Sequence, residues 1–234
     1  MSSYFLGKGK AFRARIIFSS VFYFALLTSV VGGIILYCFS DFIALYLGAS
    51  ETLLPLVQEY TEIIYLGAFI IVLHPMLDIF AINDKQPLLA MIAMIVGAAM
   101  NIVLNYLFLF VLELGIHSSA LATVLGHGIG MCILLQHFLR KKGNLYLIKA
   151  FDLYAILMAT KNGIPQSSSE ISVSVMMLIF NHTIAGIAGD RGLAIYSVLM
   201  YVGIIPFTIL LSMAQGMQPI ASFNYGANLM ERVR

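Results

Sequence analysis

The stretch IIFSSVFYFALLTSVVGGIILYCF, residues 16–39, contains no charged side chain. About 20 apolar residues carry an α-helix across the hydrocarbon core of a bilayer, so this run predicts a membrane-spanning helix. It is longer than the apolar region of a secretory signal, and no small-residue cleavage site follows it. The helix is therefore expected to stay in the mature chain. Similar runs follow. Leu54–Leu77 predicts a second span, with Glu59 and Glu62 near its start. Leu88–Leu112 and Ile116–Leu139 predict a third and a fourth. Leu153–Ala188 predicts a fifth, interrupted by Lys161, Pro165 and Glu170, and Leu193–Met217 a sixth, with Pro206 inside it. The expected fold class is all-α: a polytopic integral membrane protein with six transmembrane helices.

Composition agrees. Residues of the AVILMFWYC set make up 61% of the 234-residue chain and charged residues 10%, where a soluble domain carries about 25% charge. So few charges cannot cover a soluble surface of this size, whereas lipid welcomes apolar side chains. The net charge of +2, with no basic arm, gives no reason to expect nucleic acid. Cys38 and Cys132 lie in apolar runs without CxxC or Cys/His spacing, and read as packing residues. No HExxH, GxSxG or Walker-type loop is present, so neither an enzyme nor a cofactor is expected. Any uphill transport must then draw on an ion gradient.

Lys and Arg collect in cytoplasmic loops. Lys8, Lys10, Arg13 and Arg15 precede the first span, and Lys85 separates the second from the third. Arg140, Lys141, Lys142 and Lys149 separate the fourth from the fifth, Lys161 stands at the entry to the fifth, and Arg232 and Arg234 follow the sixth. Arg191 falls on the other side. Both termini are expected in the cytoplasm, in the plasma (inner) membrane. Residues 6–15, LGKGKAFRAR, also echo residues 225–234, YGANLMERVR: Gly7, Arg13 and Arg15 align with Gly226, Arg232 and Arg234. Both pieces flank cytoplasmic junctions, which points to a structural repeat of the kind transporters use. One copy precedes the first span and the other follows the sixth, so the echo predicts helices ahead of residue 1.

Glu170 carries the most chemical information. A carboxylate within a span is costly, about 2.5–3.5 kcal/mol for Asp at a helix centre on insertion scales, and such groups usually face a bundle interior. Gln166, Glu170, Ser174 and Asn181 share one helical face, with Ser167 beside them, while Val173, Val175 and Ile179 make the other side apolar. Two roles fit this stripe: an ion or substrate site, or a ladder of hydrogen bonds between helices. Asn101 and Asn105, four apart with Gly97 on the same face, fit interhelical bonding or a cavity wall. His74 and Asp78 fit a proton relay, or an interfacial ion pair or solvated cap, the latter being preferred. Asn83-Asp84-Lys85 before Pro87 reads as a turn, Pro165 and Pro206 as bends, and Gly126 with Gly130 as a close helix contact.

Four stretches resemble the multidrug and toxic compound extrusion (MATE) family of cation-coupled antiporters. They are Asn83-Asp84-Lys85-Gln86-Pro87 with Ala90-Met91; Asn101-Ile102-Val103-Leu104-Asn105-Tyr106 with Ala120-Leu121-Ala122-Thr123; Gly163-Ile164-Pro165 with Ser169-Glu170; and residues 215–227, QGMQPIASFNYGA. The resemblance implies a twelve-helix fold of two six-helix lobes around a central cavity, of which this chain matches helices three to eight. It divides the chain into residues 1–139 (last four helices of the N-terminal lobe), 140–152 (cytoplasmic inter-lobe linker) and 153–234 (first two helices of the C-terminal lobe). Asn105 stands where the family commonly has Asp, and His117-Ser118-Ser119 replaces a Gly-containing entry.

The function the resemblance implies is a cation-coupled (H+ or Na+) multidrug antiporter, here incomplete, that exports hydrophobic or cationic compounds. Glu170 would take the cation. A companion segment or self-association would supply the missing helices. Two alternatives stay open: a non-transporting membrane fragment or scaffold, and a lipid-linked oligosaccharide flippase of related architecture. The flippase would need Arg and Lys in its cavity for pyrophosphate, and the middles of the spans carry none.

Overall fold

A computed structural model describes residues 1–46 and 54–232. Its helices are α1 (Ser2–Gly7), α2 (Ala11–Cys38), α3 (Ser40–Tyr46), α4 (Leu54–Leu66), α5 (Ala68–Asn83), α6 (Pro87–Tyr106), α7 (His117–Leu139) and α8 (Leu153–Gly226). No strand occurs among the described residues. The all-α membrane architecture expected from the sequence is the one observed. Arg234, the last cation of the echo, lies outside the described residues.

Ala11–Cys38, Pro87–Val111, His117–Leu139 and Ile195–Gly226 are each long and apolar enough to cross a membrane. The second expected span is a broken one: α4 and α5 meet at a bend of 52°. Gly67 stands at that bend, and a Cβ there would meet Val124 Cγ2 of α7 at 2.5 Å. The fifth expected span is helical throughout but is not in the strongly apolar set. Lys161, Glu170 and the serines around them lower its hydropathy.

The helix ends follow local chemistry. Pro87 occupies the first turn of α6, where its missing N–H is harmless. Asp152 caps α8, its side chain accepting from the Ala155 N–H at 3.1 Å. Inside α8 the helix runs on through Pro165, Pro206 and Pro219 and breaks at Gly189, with φ 58° and ψ −156°. Only glycine adopts that conformation readily. The reversal at Gly189 falls in the junction expected between the fifth span, ending at Ala188, and the sixth, beginning at Leu193. Phe180 and Tyr196 stack on either side of it, with centroids 5.8 Å apart. In a continuous helix these residues would be separated by about 24 Å. The two arms of α8, 153–188 and 190–226, therefore form a helical hairpin.

The core lies where α2, α5 and α7 meet. Phe18 packs against Phe80 and Phe138, each at 4.7 Å between centroids, with Leu73, Leu77 and Leu134 around them. At one end of this bundle the segment 140–152 runs across the helices. Ser19 and Ser20, both fully buried, accept the Ile148 N–H (3.0 Å) and the Asp152 N–H (2.8 Å). Arg15 Nε donates to the Asn144 carbonyl at 2.8 Å and its guanidinium covers the Tyr146 ring. Arg13 pairs with Asp152 at 2.7 Å.

At the same end α1 packs on the close of α8. Tyr4 stacks on Tyr225 at 5.9 Å, and Lys85 Nζ lies over the Phe223 ring at 4.4 Å. Gly7 abuts the Phe223 carbonyl, and Gly226 abuts the Tyr4 carbonyl. Gly7 and Gly226 are counterparts in the echo, and extending its alignment pairs Tyr4 with Phe223. The contact is therefore reciprocal, as two copies of one motif meeting across a local two-fold would make it.

Candidate functional site

The expected stripe lies on the first arm of α8. Gln166, Glu170, Ser174 and Asn181 are all exposed, and so is the apolar side of the arm. Gln166 Nε2 donates to Glu170 Oε1 at 2.9 Å. The Ser174 hydroxyl donates to the Glu170 backbone carbonyl at 2.9 Å. These bonds run along the helix rather than to a neighbour. The amide therefore orients the carboxylate, while the second carboxylate oxygen and the arm's open face are left to whatever approaches. On the opposite face of the arm, Ile171, Val175, Met176, Ile179 and Phe180 line a shallow apolar groove.

The structure does not bring Asn101 and Asn105 to Glu170. They join α6 to α7. Asn101 Nδ2 donates to Thr123 Oγ1 at 3.3 Å, Ser119 Oγ donates to Asn105 Oδ1 at 2.7 Å, and Asn105 Nδ2 donates to the Asn101 carbonyl at 2.9 Å. Asn101 also lines a cavity of about 260 Å³ with His74, Met94, Gly97, Ala98, Thr123 and His127. Gly126 lets the two helices close here, since a Cβ on it would meet the Gly97 carbonyl at 2.8 Å.

Two further polar pairs join α5 to α7, and sequence reading missed both. His74 Nδ1 lies 3.0 Å from His127 Nδ1. His137 Nε2 lies 2.9 Å from Asp84 Oδ2, and Asp84 Oδ1 accepts the N–H groups of Asn144 (2.8 Å) and Leu145 (3.0 Å). Asp84, read as part of a simple turn, is 2% exposed. It is the anchor that holds the 140–152 segment to α5 and α7. Of the two preferred readings of His74 and Asp78, their separation at ion-pair distance fits the first and their burial removes the second. Both are buried, at 5% and 8% exposure, so they form no solvated cap. Their separation of 3.7 Å is too long for a hydrogen bond. A histidine within an apolar span is the signal that could have drawn attention to His127. Its partner, distant in sequence, is visible only in the fold.

Among the described residues no group of three or more His, Cys, Asp or Glu side chains is arranged to hold a metal ion.

The family described as MatE matches residues 1–107 and 165–234. The multidrug export protein MepA of Staphylococcus saprophyticus is 24% identical over 223 residues, which is 94% of this chain and 49% of that protein. MepA of Staphylococcus haemolyticus is 26% identical over 226 residues, 95% of this chain and 50% of that protein. The chain thus spans about half the length of the curated relatives it matches. A MOP superfamily transporter from Pyrococcus furiosus superposes with a TM-score of 0.90 at 22% identity, over 99% of this chain and 52% of that one. The outward-facing form of a multidrug resistance MATE family transporter superposes at 0.89 and 22%, with 99% and 52% covered. The family match takes in well over half of these residues, and the fold agrees along nearly all of them: the chain is a multi-pass membrane protein that belongs to the MatE family.

Proposed function

We propose that this chain is part of a cation-coupled (H+ or Na+) multidrug antiporter that exports hydrophobic or cationic compounds across the plasma membrane, with both termini in the cytoplasm. The observation that carries the reading is Glu170. It is an acid within a helical arm, its carboxylate steered by Gln166, in a chain that resembles multidrug exporters along almost its whole length. Residues 1–139 belong to one lobe and 153–234 to the other, with 140–152 as the linker. Rocking of the lobes would expose Glu170 alternately to the two sides. A bound cation neutralises the carboxylate and lowers the cost of holding it within the membrane. A positively charged compound competes for the same charge, so one leaves as the other binds. Ser174 and Asn181 extend the polar face for either guest.

A non-transporting fragment or scaffold is the second reading, and the efflux test separates the two. In the exporter, a companion segment or a second copy would supply the remaining helices. The flippase alternative lacks support, because α8 carries only Lys161 and Arg191 as lasting cations.

The test is efflux of a fluorescent cationic dye from cells expressing the chain, beside Glu170→Gln. The wild type is expected to expel dye, and the variant to lose at least ten-fold of that rate. A Gln variant that exports as well as the wild type removes Glu170 from the mechanism. Absence of export by either, with both in the membrane, replaces the exporter with the non-transporting reading.

A further inference from the structure

The His74–His127 pair is a built feature of the first lobe. The His74 ring lies between α6 and α7, where two glycines make room for it. A Cβ at Gly130 would collide with His74 Nε2, and one at Gly97 would come within 3.6 Å of Cε1. The Nδ1 atoms are 3.0 Å apart and the rings meet edge to face. At that distance one Nδ1 must carry a hydrogen and the other must present its lone pair. On its far edge His74 Nε2 faces Asp78 Oδ2 at 3.7 Å. His74 Nε2 and Asp78 Oδ1 are buried without a hydrogen-bond partner. Buried polar atoms are rarely left in that state unless they serve a purpose. His127 is half-buried and borders the cavity, so the chain of groups begins at an accessible ring and ends at a buried acid.

We propose that His127, His74 and Asp78 form a proton-binding relay in the first lobe, in which the two imidazoles hold one shared proton between them.

The proton balance is simple. In the starting state His127 carries its hydrogen on Nδ1 and His74 carries its own on Nε2. A proton adds to His127 Nε2 from the cavity. The shared hydrogen passes from His127 Nδ1 to His74 Nδ1. The gap of 3.7 Å closes as the His74 Nε2–H moves into hydrogen-bonding reach of Asp78 Oδ2, and the hydrogen then passes to the carboxylate. One proton enters, one is delivered, and both rings end neutral in the opposite tautomer.

Among the described residues, the elements packed around the pair carry few other charges. α2 packs on α5 through Phe18 and Phe22 and carries no charged residue from Ile16 to Phe39. α6 carries none along Pro87–Tyr106. On α7, His117 faces Glu59 of α4 at 3.7 Å and His137 is bonded to Asp84. The other acid of α4 is Glu62. α8 approaches near Phe223, which Lys85 covers. A hard cation such as Na+ prefers oxygen ligands, and the pair offers ring nitrogens, so the fitting ligand is the proton. A role as a second coupling site, opposite Glu170, rests on the exporter proposed above; proton binding does not.

The experiment is a pH titration of the purified chain in lipid nanodiscs with ¹³C-labelled histidine ring carbons. His74→Gln and His127→Gln serve to assign the signals, and His117 is the internal reference. Between pH 5 and 8, His74 and His127 are expected to move together and to take up one proton per pair. Two adjacent imidazolium ions would repel strongly in a medium of low dielectric. Uptake of two protons by independent rings overturns the proposal. So does a pair that stays silent while His117 responds, because the contact is then purely structural. Adding Na+ at fixed pH is expected to change neither signal, and a shift would overturn proton selectivity. Loss of dye export by Glu170→Gln leaves these results untouched, so the two proposals fail separately.

Discussion

Replacing Asp84 with alanine is expected to release the 140–152 segment from the bundle. The carboxylate accepts two backbone N–H groups of the segment and lies against His137 of α7. Gly143 abuts it so closely that a side chain there would overlap Asp84 Oδ2. Removing one partner of a buried charged network costs about 3–5 kcal/mol, because the remaining donors stay buried without an acceptor. Part of that cost is avoided when the segment swings into water. The readout is therefore local as well as global. Lys141, Lys142 and Lys149 are tryptic sites, and each 1.4 kcal/mol of lost protection raises the open population about ten-fold. Trypsin should cut Asp84→Ala at these sites at least ten times faster than the wild type, and the melting temperature in detergent should fall. Asp84→Asn, which keeps an acceptor oxygen but loses the charge, should lie between them. Equal cleavage of all three proteins would show that Arg15, Ser19 and Ser20 hold the segment without help from Asp84.

Gly7→Ala and Gly226→Ala are expected to destabilise the meeting of α1 and α8, each by about 1–3 kcal/mol, as overpacking does elsewhere. In both cases the obstacle is a backbone carbonyl, of Phe223 or of Tyr4, which cannot turn aside as a side chain can. The two sites form one reciprocal contact. Either substitution alone already parts the helices, so the second has little left to disrupt. The double variant should lose clearly less than the sum of the singles. Melting of the four proteins in the same detergent measures this. Full additivity would mean that the two glycines act independently and that the contact is not shared.

The spans were legible because a bilayer imposes length and apolarity directly on sequence. Residues 16–39 and 116–139 needed no tertiary information, and the helices observed there are Ala11–Cys38 and His117–Leu139. The Glu170 stripe was legible for the same reason, since polar groups stand out against an apolar background. The break at Gly67 was not. Val124 of α7 approaches so closely there that a side chain at Gly67 would clash with it, and no local rule encodes that approach. The reversal at Gly189 was legible as the junction between the fifth and sixth expected spans; its exact place follows from a positive φ that glycine tolerates.

By itself, then, the sequence determined that the chain crosses a membrane as a set of helices, which residues are polar within them, and which family its motifs resemble. Each of these follows from composition and short-range spacing. Tertiary structure alone decided which polar groups meet. His74 finds His127 and Asp84 finds His137 because α5 and α7 pack side by side, each pair joining residues 53 positions apart. Tyr4 and Gly7 find Phe223 and Gly226 because the two ends of the echo fold onto each other. Hydrophobic patterning only turns helix faces inward. The pairing of buried polar atoms depends on the register between helices, and that register exists only once they are packed.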